Sequence, residues 1–389
     1  MQNTAFFGSL DPHRRDLCAA VLALCAPDFE EKPAPAPEFL SALYQKLCAQ
    51  MFPDGLPEIP TLTADEMAYL TALEAALAGD NIPKSVYTNL IQAVHDGLPS
   101  MYRYMEIRKR LLDVKELHMY DIYAPLIKID EKPISYEDAV EMMKEGLSLL
   151  GSEYIQRLSN GLAEGWVDVY ENKGKTSGAY SFGSYDSFPY IMLNFSGKLK
   201  DVFTLVHEMG HSMHSSYTRE AQPFVYGGHS IFTAEVASTV NESLLMKYLI
   251  EKEEKKLLVK EKTSAEYQEA LTMKKYLLNM YIEEFRTTLF RQTMFAEFEL
   301  LAHSAVEHGE VLTAEWLCSK YGELNRLYFG SEVICDKQIS YEWARIPHFY
   351  RAFYVYKYAT GYSAATAISD LIIQGAKKGS DENSARDAY

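Results

Sequence analysis

A helical hydrophobic pattern that is interrupted once constrains the fold of this chain most. From Thr63 onward, apolar residues recur three and four positions apart, in segments that begin at capping residues or prolines. Proline suits the first turn of a helix and disrupts its interior. The pattern therefore predicts separate helices over Pro83–Val94 and Pro99–Leu112, followed by helices over Ser135–Leu150 and Ser152–Gly165.

The interruption is Ser177–Phe195, a stretch rich in glycine, serine and aromatic residues. Its end, Tyr190–Phe195, alternates as a strand does, which predicts a small β-hairpin in a mainly α-helical protein. Gly178 and Tyr180 belong to a candidate edge strand, which could pair with the backbone of an extended peptide. A purely structural hairpin is the alternative.

Composition excludes several classes of function. The 38 basic and 54 acidic residues give a formal net charge of −16, which disfavours binding to nucleic acid or an anionic membrane surface. No apolar run approaches the ~20 residues of a membrane span.

The cysteine pattern bears on the cellular compartment. The five cysteines are scattered without a CxxC pair, as in a reducing compartment. Leu17–Ala26 is apolar, but Asp11 and Asp16 lie where a secretory signal would be basic. We expect a cytoplasmic protein.

A candidate metal motif lies in the segment Leu199–Tyr217, which contains His207-Glu208-Met209-Gly210-His211. Residues four apart share one face of a helix, so His207 and His211 can hold one zinc ion. Glu208 is rotated by about 100° and can take a proton from metal-bound water. An HExxH string also arises by chance in roughly one such chain per hundred, and buried histidines often have only a structural role.

A third ligand must come from a carboxylate further along the chain. Glu220 follows a basic residue near the end of the predicted helix and is expected to be exposed. Glu235 and Glu242 lie two turns apart in the apolar helix Ile231–Ile250, where an unpaired carboxylate is costly. One of the two could bind the metal while the other accepts a hydrogen bond from a ligand imidazole.

Spacing separates the classes of zinc peptidase. His214 and Tyr217 stand where a metzincin has glycine and histidine, and Ser230 stands where the aminopeptidase spacing needs glutamate. With Glu235 in the segment TAEVASTVNE, the HEMGH motif resembles the oligoendopeptidase F branch of the thimet-oligopeptidase-like zinc metallopeptidases. Further passages with this resemblance are 72–83, 116–126, 177–195, 203–215 and 343–361.

The resemblance implies a role for each residue of the motif. His207, His211 and Glu235 would be the ligands of one zinc ion per chain, and Glu208 the general base. Glu242 would hold a ligand imidazole. The implied fold is a mainly α-helical zincin-type catalytic domain, with a small β-hairpin at the cleft and a deep substrate channel.

The late aromatic segment supplies candidate oxyanion donors, because a phenol O–H or an imidazole N–H can bind a developing oxyanion. The resemblance implies a His and Tyr pair here, which we assign to His348 and Tyr354. Tyr350 and Tyr358 are second choices for contacts with substrate. The alternative is that most of these tyrosines are core aromatics with their hydroxyls at the surface.

The sequence thus predicts a zinc metalloendopeptidase that hydrolyses internal bonds of short peptides. We expect a catalytic domain over 71–389, short at both ends relative to the family, after an N-terminal segment of uncertain relation over 1–70 that contains a Pro/Ala linker. One alternative is a truncated homologue without efficient turnover. Another is a carboxypeptidase-like enzyme, with Arg345 binding a terminal carboxylate unless it forms a structural ion pair. A homo-oligomer, or a partner chain that supplies a missing segment, also stays open.

Overall fold

A computed structural model of the chain describes residues 71–130, 132–377 and 384–389. The prediction for the segment 1–70, and the part of the first helical pattern that precedes residue 71, lie outside the described residues. Within them, no helix is both long and apolar enough to cross a membrane.

The first two helices show how capping and burial decide where a helix begins and continues. Helix α1 (Ala72–Ala78) begins at Thr71, whose hydroxyl accepts the backbone N–H of Glu74 while the Glu74 carboxylate accepts the N–H of Thr71. Helix α2 runs unbroken over Lys84–Leu112. The prediction of two helices separated before Pro99 is therefore wrong.

Burial explains why α2 continues through Pro99. An interior proline removes one backbone hydrogen bond and costs about 3 kcal/mol. Leu98 and Met101, on either side of it, are only 4% and 3% exposed and pack in the same core as Val94 and Met105. Each buried apolar side chain contributes about 1.5–3 kcal/mol, so the continuous apolar face outweighs the loss.

The remaining helices lie where the pattern predicts them, except that the helix predicted over Ser135–Leu150 ends at Gly146 and is followed by a 3₁₀ turn over Ser148–Leu150. A Ser135 hydroxyl caps the helix that follows it, and a π-helical turn over Phe285–Phe290 joins the seventh helix to the eighth. In chain order they are α3 (Tyr136–Gly146), α4 (Ser152–Ala163), α5 (Leu199–Ala221), α6 (Ile231–Val259), α7 (Ala265–Glu284), α8 (Arg291–Glu307), α9 (Ala314–Phe329), α10 (Tyr356–Lys377) and α11 (Ser384–Ala388).

Two small sheets accompany the helices. Strands β1 (Leu117–His118) and β5 (Val333–Ile334) form a parallel pair. The predicted hairpin is present: β3 (Tyr180–Phe182) pairs antiparallel with β4 (Tyr190–Met192), with Ser181 opposite Ile191. Strand β2 (Val167–Asp168) pairs with β4 from the other side, which leaves β3 at the edge of the three-stranded sheet.

Buried side chains form two hydrophobic clusters, which we call the first core and the second core. The first core draws mainly on α1, α2, α8, α9 and the segment 346–356. The second core draws mainly on α3, α4, α5, α6 and the three-stranded sheet. Helices α5 and α6 approach closely at Gly210, where an added Cβ would lie 2.5 Å from the Cα of Ser238. This contact brings the two candidate metal helices together.

Candidate metal centre

Helix α5 presents both motif histidines on one side. Val202 and Val206 are fully buried in the second core and Phe203 is 5% exposed, which fixes the rotation of the helix. His207 and His211 then lie one turn apart, with their Nε2 atoms 3.1 Å from each other. A neutral imidazole carries a proton on only one of its two nitrogens, so with that proton on Nδ1 in both rings neither Nε2 can donate to the other, and the pair is suited to a shared cation.

Glu235 on α6 completes a triangle of donor atoms. Its Oε2 lies 3.5 Å from His207 Nε2 and 3.7 Å from His211 Nε2. In a tetrahedral zinc site with bonds of about 2.0–2.1 Å, neighbouring ligand atoms are about 3.3 Å apart. The three measured edges span that value, and two imidazoles with one carboxylate are a common catalytic donor set. The residues therefore fit a zinc ion.

Each histidine has a partner for its other ring nitrogen. Glu242 Oε2 lies 3.2 Å from His207 Nδ1, and the ring of His211 donates to the backbone carbonyl of Ala234. A carboxylate and a carbonyl only accept hydrogen bonds, so in the neutral form of each ring the proton lies on Nδ1 and the Nε2 lone pair faces the triangle.

The electrostatics differ between the two rings. Burial lowers the pKa of His207, but the hydrogen bond and charge of Glu242, with the charges of Glu208 and Glu235, outweigh it and raise this pKa to about 9. Burial, with the neighbouring His207, lowers the pKa of His211 to about 3. The site is therefore rich in negative charge that favours a bound cation.

Glu208 follows the first histidine and is 7% exposed. Burial raises the pKa of its carboxyl; the His207 charge opposes this rise, and the charges of Glu235 and Glu242 add to it. The backbone N–H of Ser181, in the edge strand β3, donates to the Glu208 carboxylate. The sheet thus orients this carboxylate beside the metal triangle.

A cavity of about 420 Å³ opens beside the triangle, and its lining includes Gly178, His207, Glu208 and Glu242. Gly178 has a φ of 94° and precedes β3, and its carbonyl accepts a hydrogen bond from the Asn194 side chain at 2.9 Å. This carbonyl already has a protein partner.

Strand β3 offers the exposed edge that the sequence suggested. Tyr180 begins the strand and is 51% exposed, and Phe182 at its end is 73% exposed. Within the described sheet β3 pairs only with β4, and its Ser181 N–H already donates to the Glu208 carboxylate.

Three of the predicted late residues form one aromatic cluster, His348, Tyr354 and Tyr358. The His348 ring centroid lies 6.0 Å from each tyrosine centroid, and the Tyr358 hydroxyl donates to the Tyr354 hydroxyl at 3.4 Å. Burial raises the pKa of Tyr358, with smaller contributions from its hydrogen bond to Tyr354 and from the charge of Glu235. Tyr350 is 92% exposed and has no ring contact with the three.

The structure also answers smaller questions from the sequence. Glu220 is exposed and pairs with Arg157, as expected of a surface carboxylate. Arg345 forms an ion pair with Glu342, so the structural interpretation of this arginine is confirmed. The ring of His229 stacks on that of His214 at 3.9 Å, outside the donor triangle.

Sequence reasoning missed Glu284, which lies near Glu242. Burial, with the charge of Glu242, raises the pKa of Glu284 to about 8, against a hydrogen bond from Tyr362 at 3.5 Å. Glu284 is the last residue of α7 and lies 42 positions beyond Glu242 in the chain, so no short motif could reveal it.

Comparisons with known proteins identify the family of this chain. A model of peptidase family M3 matches residues 32–385. The oligopeptidase PepF of Bacillus subtilis (strain 168) is 49% identical over 315 residues, which make up 80% of this chain and 44% of PepF. The chromosomal oligoendopeptidase F of Lactococcus lactis subsp. cremoris is 46% identical over 318 residues, 82% of this chain and 50% of that protein.

Solved structures show the same relation. A peptidase of Chlamydophila abortus matches with a TM-score of 0.70 at 42% identity, covering 84% of this chain and 51% of that one. Oligoendopeptidase-F from Enterococcus faecium matches with a TM-score of 0.56 at 38% identity, covering 79% and 45%. The chain spans about half the length of the curated relatives it matches. From the extent of the family match and these relatives, the chain belongs to the oligoendopeptidase F branch of peptidase family M3.

Proposed function

We propose that this chain carries the catalytic apparatus of a zinc metalloendopeptidase that hydrolyses internal bonds of short peptides. The observation that supports this proposal most directly is the triangle of His207, His211 and Glu235, with the buried carboxylate of Glu208 beside it. A bound Zn²⁺ would supply Lewis acidity, polarising the scissile carbonyl and making water acidic enough to lose a proton near neutral pH.

Glu208 has the properties of the general base in this proposal. Its burial raises its affinity for a proton, while the N–H of Ser181 keeps one orientation of the carboxylate. It takes a proton from the attacking water at a carboxylate oxygen and passes that proton to the nitrogen of the leaving amine. The carboxylate is regenerated at the end of each cycle.

His348 and Tyr354 are the proposed oxyanion donors. The stack of their rings and the hydrogen bond from Tyr358 limit the directions in which the Tyr354 hydroxyl can point. A donor fixed in advance stabilises the developing negative charge without reorganising in the reaction.

We assign substrate binding to strand β3 and to the exposed tyrosines. Tyr180 and its strand would pair with an extended peptide backbone, and Gly178 would allow the backbone to approach the cavity wall. Tyr350, fully outside the aromatic cluster, would contact substrate side chains, and Tyr358 would do so from within it.

The alternatives make distinct predictions. Because Glu342 pairs with Arg345, the carboxypeptidase-like alternative loses its candidate for binding a terminal carboxylate. A homologue without efficient turnover would bind zinc and peptide yet release no product.

The deciding experiment compares the wild-type chain with Glu208→Gln and with the matched surface variant Glu220→Gln. Zinc content and cleavage of an internally quenched peptide with blocked termini are measured for all three. We expect equal zinc in all three and turnover only in the wild type and Glu220→Gln. Equal turnover in Glu208→Gln would refute the general-base assignment, and zinc without turnover in every protein would favour the homologue that only binds. Cleavage restricted to peptides with a free terminus would favour an exopeptidase.

A further inference from the structure

The backbone turns in an unusual way at Phe353, immediately before Tyr354. Three residues other than glycine have positive φ in the described part of the chain: Asn81 at 53°, Asp113 at 54° and Phe353 at 54°. Asparagine and aspartate visit this left-handed region comparatively often, whereas a bulky aromatic residue there is an outlier. A strained backbone persists only where its surroundings determine it, and such positions cluster at functional sites.

A buried carboxyl group on helix α8 holds this turn. Oε1 of Glu299 accepts the backbone N–H of Phe353 at 3.0 Å, and Glu299 is only 4% exposed. The Phe353 ring is 2% exposed and lies against Tyr87, at 5.6 Å between centroids, and His303, at 4.6 Å. The backbone and the side chain of this residue are both fixed by the first core.

The second carboxyl oxygen of Glu299 makes no hydrogen bond among the described residues. This oxygen, Oε2, is also buried. Burial raises the pKa of this carboxyl to about 8, against the hydrogen bond from Phe353. An apolar residue in this place would avoid the unpaired oxygen but would leave the N–H of Phe353 without its acceptor, so the role that the structure gives this glutamate is to hold that N–H.

The turn decides where Tyr354 lies. If φ at Phe353 changed from 54° to the usual value near −65°, the following chain would rotate by roughly 120° about the N–Cα bond of Phe353. Tyr354 would then leave the cluster in which its ring stacks on His348 and its hydroxyl accepts from Tyr358.

We propose that Glu299 is a positioning residue: by holding the N–H of Phe353 in the left-handed turn, it keeps Tyr354 aimed at the reacting carbonyl. The inference rests on the proposed function, in which Tyr354 is an oxyanion donor. Glu299 itself does not touch substrate and acts through the backbone of one neighbouring segment.

The test uses the full 389-residue chain with two matched substitutions. Glu299→Gln keeps an acceptor oxygen in the same place, while Glu299→Leu fills a similar volume and removes the acceptor. We expect Glu299→Leu to lower kcat about tenfold, less than the 10²–10³ lost when an oxyanion donor is removed outright. KM and zinc content should stay within about twofold, and Glu299→Gln should retain kcat within about threefold of wild type.

A double-mutant cycle separates positioning from general destabilisation. In a Tyr354→Phe background, Glu299→Leu should cause no further loss of kcat, because the donor that it positions is already absent. A wild-type kcat in Glu299→Leu, or the same tenfold loss in both backgrounds, would overturn the proposal. If Glu299→Leu does not fold, Glu299→Met replaces it, with the same expected results.

A spectroscopic readout keeps the test independent of turnover. The ¹⁹F resonance of 3-fluorotyrosine at position 354 should shift or broaden in Glu299→Leu and match wild type in Glu299→Gln. An unchanged resonance in Glu299→Leu would refute the positioning role even in a chain without turnover. Failure of the proposed function gives a different result. Turnover by Glu208→Gln would refute the peptidase mechanism. Wild-type turnover by Tyr354→Phe would refute the donor role of Tyr354, and this inference with it.

Discussion

Replacing Gly210 with alanine is expected to weaken zinc binding by changing the distance between two helices. Gly210 lies between the two histidines of the motif and packs against α6. An added Cβ would lie 2.5 Å from the Cα of Ser238 and 3.0 Å from the carbonyl oxygen of Ala237. These are backbone atoms of the helix that carries Glu235, so no side-chain rotation can relieve the contact.

The size of the effect follows from these distances. Carbon atoms in good contact lie about 3.5–4.0 Å apart, so α5 and α6 must separate by about 1 Å. Overpacking of this kind costs typically 1–3 kcal/mol, of which the better helix propensity of alanine returns about 1 kcal/mol. Metal–ligand distances tolerate only about 0.2 Å, so a shift of 1 Å at Glu235 should lower zinc affinity at least about tenfold.

The assay pairs Gly210→Ala with Gly361→Ala as its control. Gly361 on α10 also faces α6, but an added Cβ there would lie 3.5 Å from the Cβ of Glu235, an ordinary contact. Zinc affinity is measured by competition with a chelator, and unfolding by urea titration. We expect lower affinity and a free energy of unfolding reduced by about 1 kcal/mol for Gly210→Ala, with affinity within about twofold of wild type for Gly361→Ala. Wild-type affinity in Gly210→Ala would refute the argument that this helix contact sets the metal geometry.

Two further predictions concern carboxyl groups that are not among the three proposed zinc ligands. Glu242→Ala removes the acceptor for His207 Nδ1 and should weaken zinc binding about 10- to 100-fold in the same chelator competition. Glu220→Ala is the surface control. Equal zinc affinities in the two variants would contradict the role given to Glu242. Burial raises the pKa of Glu299 from 4.5 to about 8, so the folded chain holds a proton that the unfolded chain releases between these values. This contribution to stability is present below pH 4.5 and is lost as the pH rises through 8. Glu299→Gln should therefore show a smaller fall in the free energy of unfolding from pH 5 to 8 than wild type, measured by urea titration. Equal falls in the two proteins would mean that the Glu299 carboxyl titrates normally.

Sequence reasoning succeeded where chemistry and local spacing coincide. The i, i+4 spacing of His207 and His211 specifies one face of a helix, and the structure brings Glu235 to that face. Glu242 could be paired with the motif because a carboxylate in an apolar helix needs a partner. These inferences need only the helical period and the hydrogen-bonding requirements of imidazole and carboxylate.

It failed where tertiary packing outweighs a local preference. Pro99 should interrupt a helix, yet the apolar side chains on either side of it keep α2 continuous. Glu284 approaches Glu242 only through the packing of α7, and Glu299 reaches Phe353 across 54 residues of sequence. Contacts of this kind depend on how separate elements meet, which local periodicity does not contain.

The two halves of the candidate site are built on different cores, and this division has a consequence for mutational data. The donor triangle depends on α5 and α6 in the second core, whereas Phe353 and the turn before Tyr354 are held by the first core. Effects at sites without shared partners are approximately additive. A change at Gly210 should therefore act on zinc affinity, and a change at Glu299 on kcat at full zinc occupancy. Loss of zinc in Glu299→Leu would mean that the turn at Phe353 and the donor triangle are structurally coupled. The expectation that the two halves of the site respond independently would then be wrong.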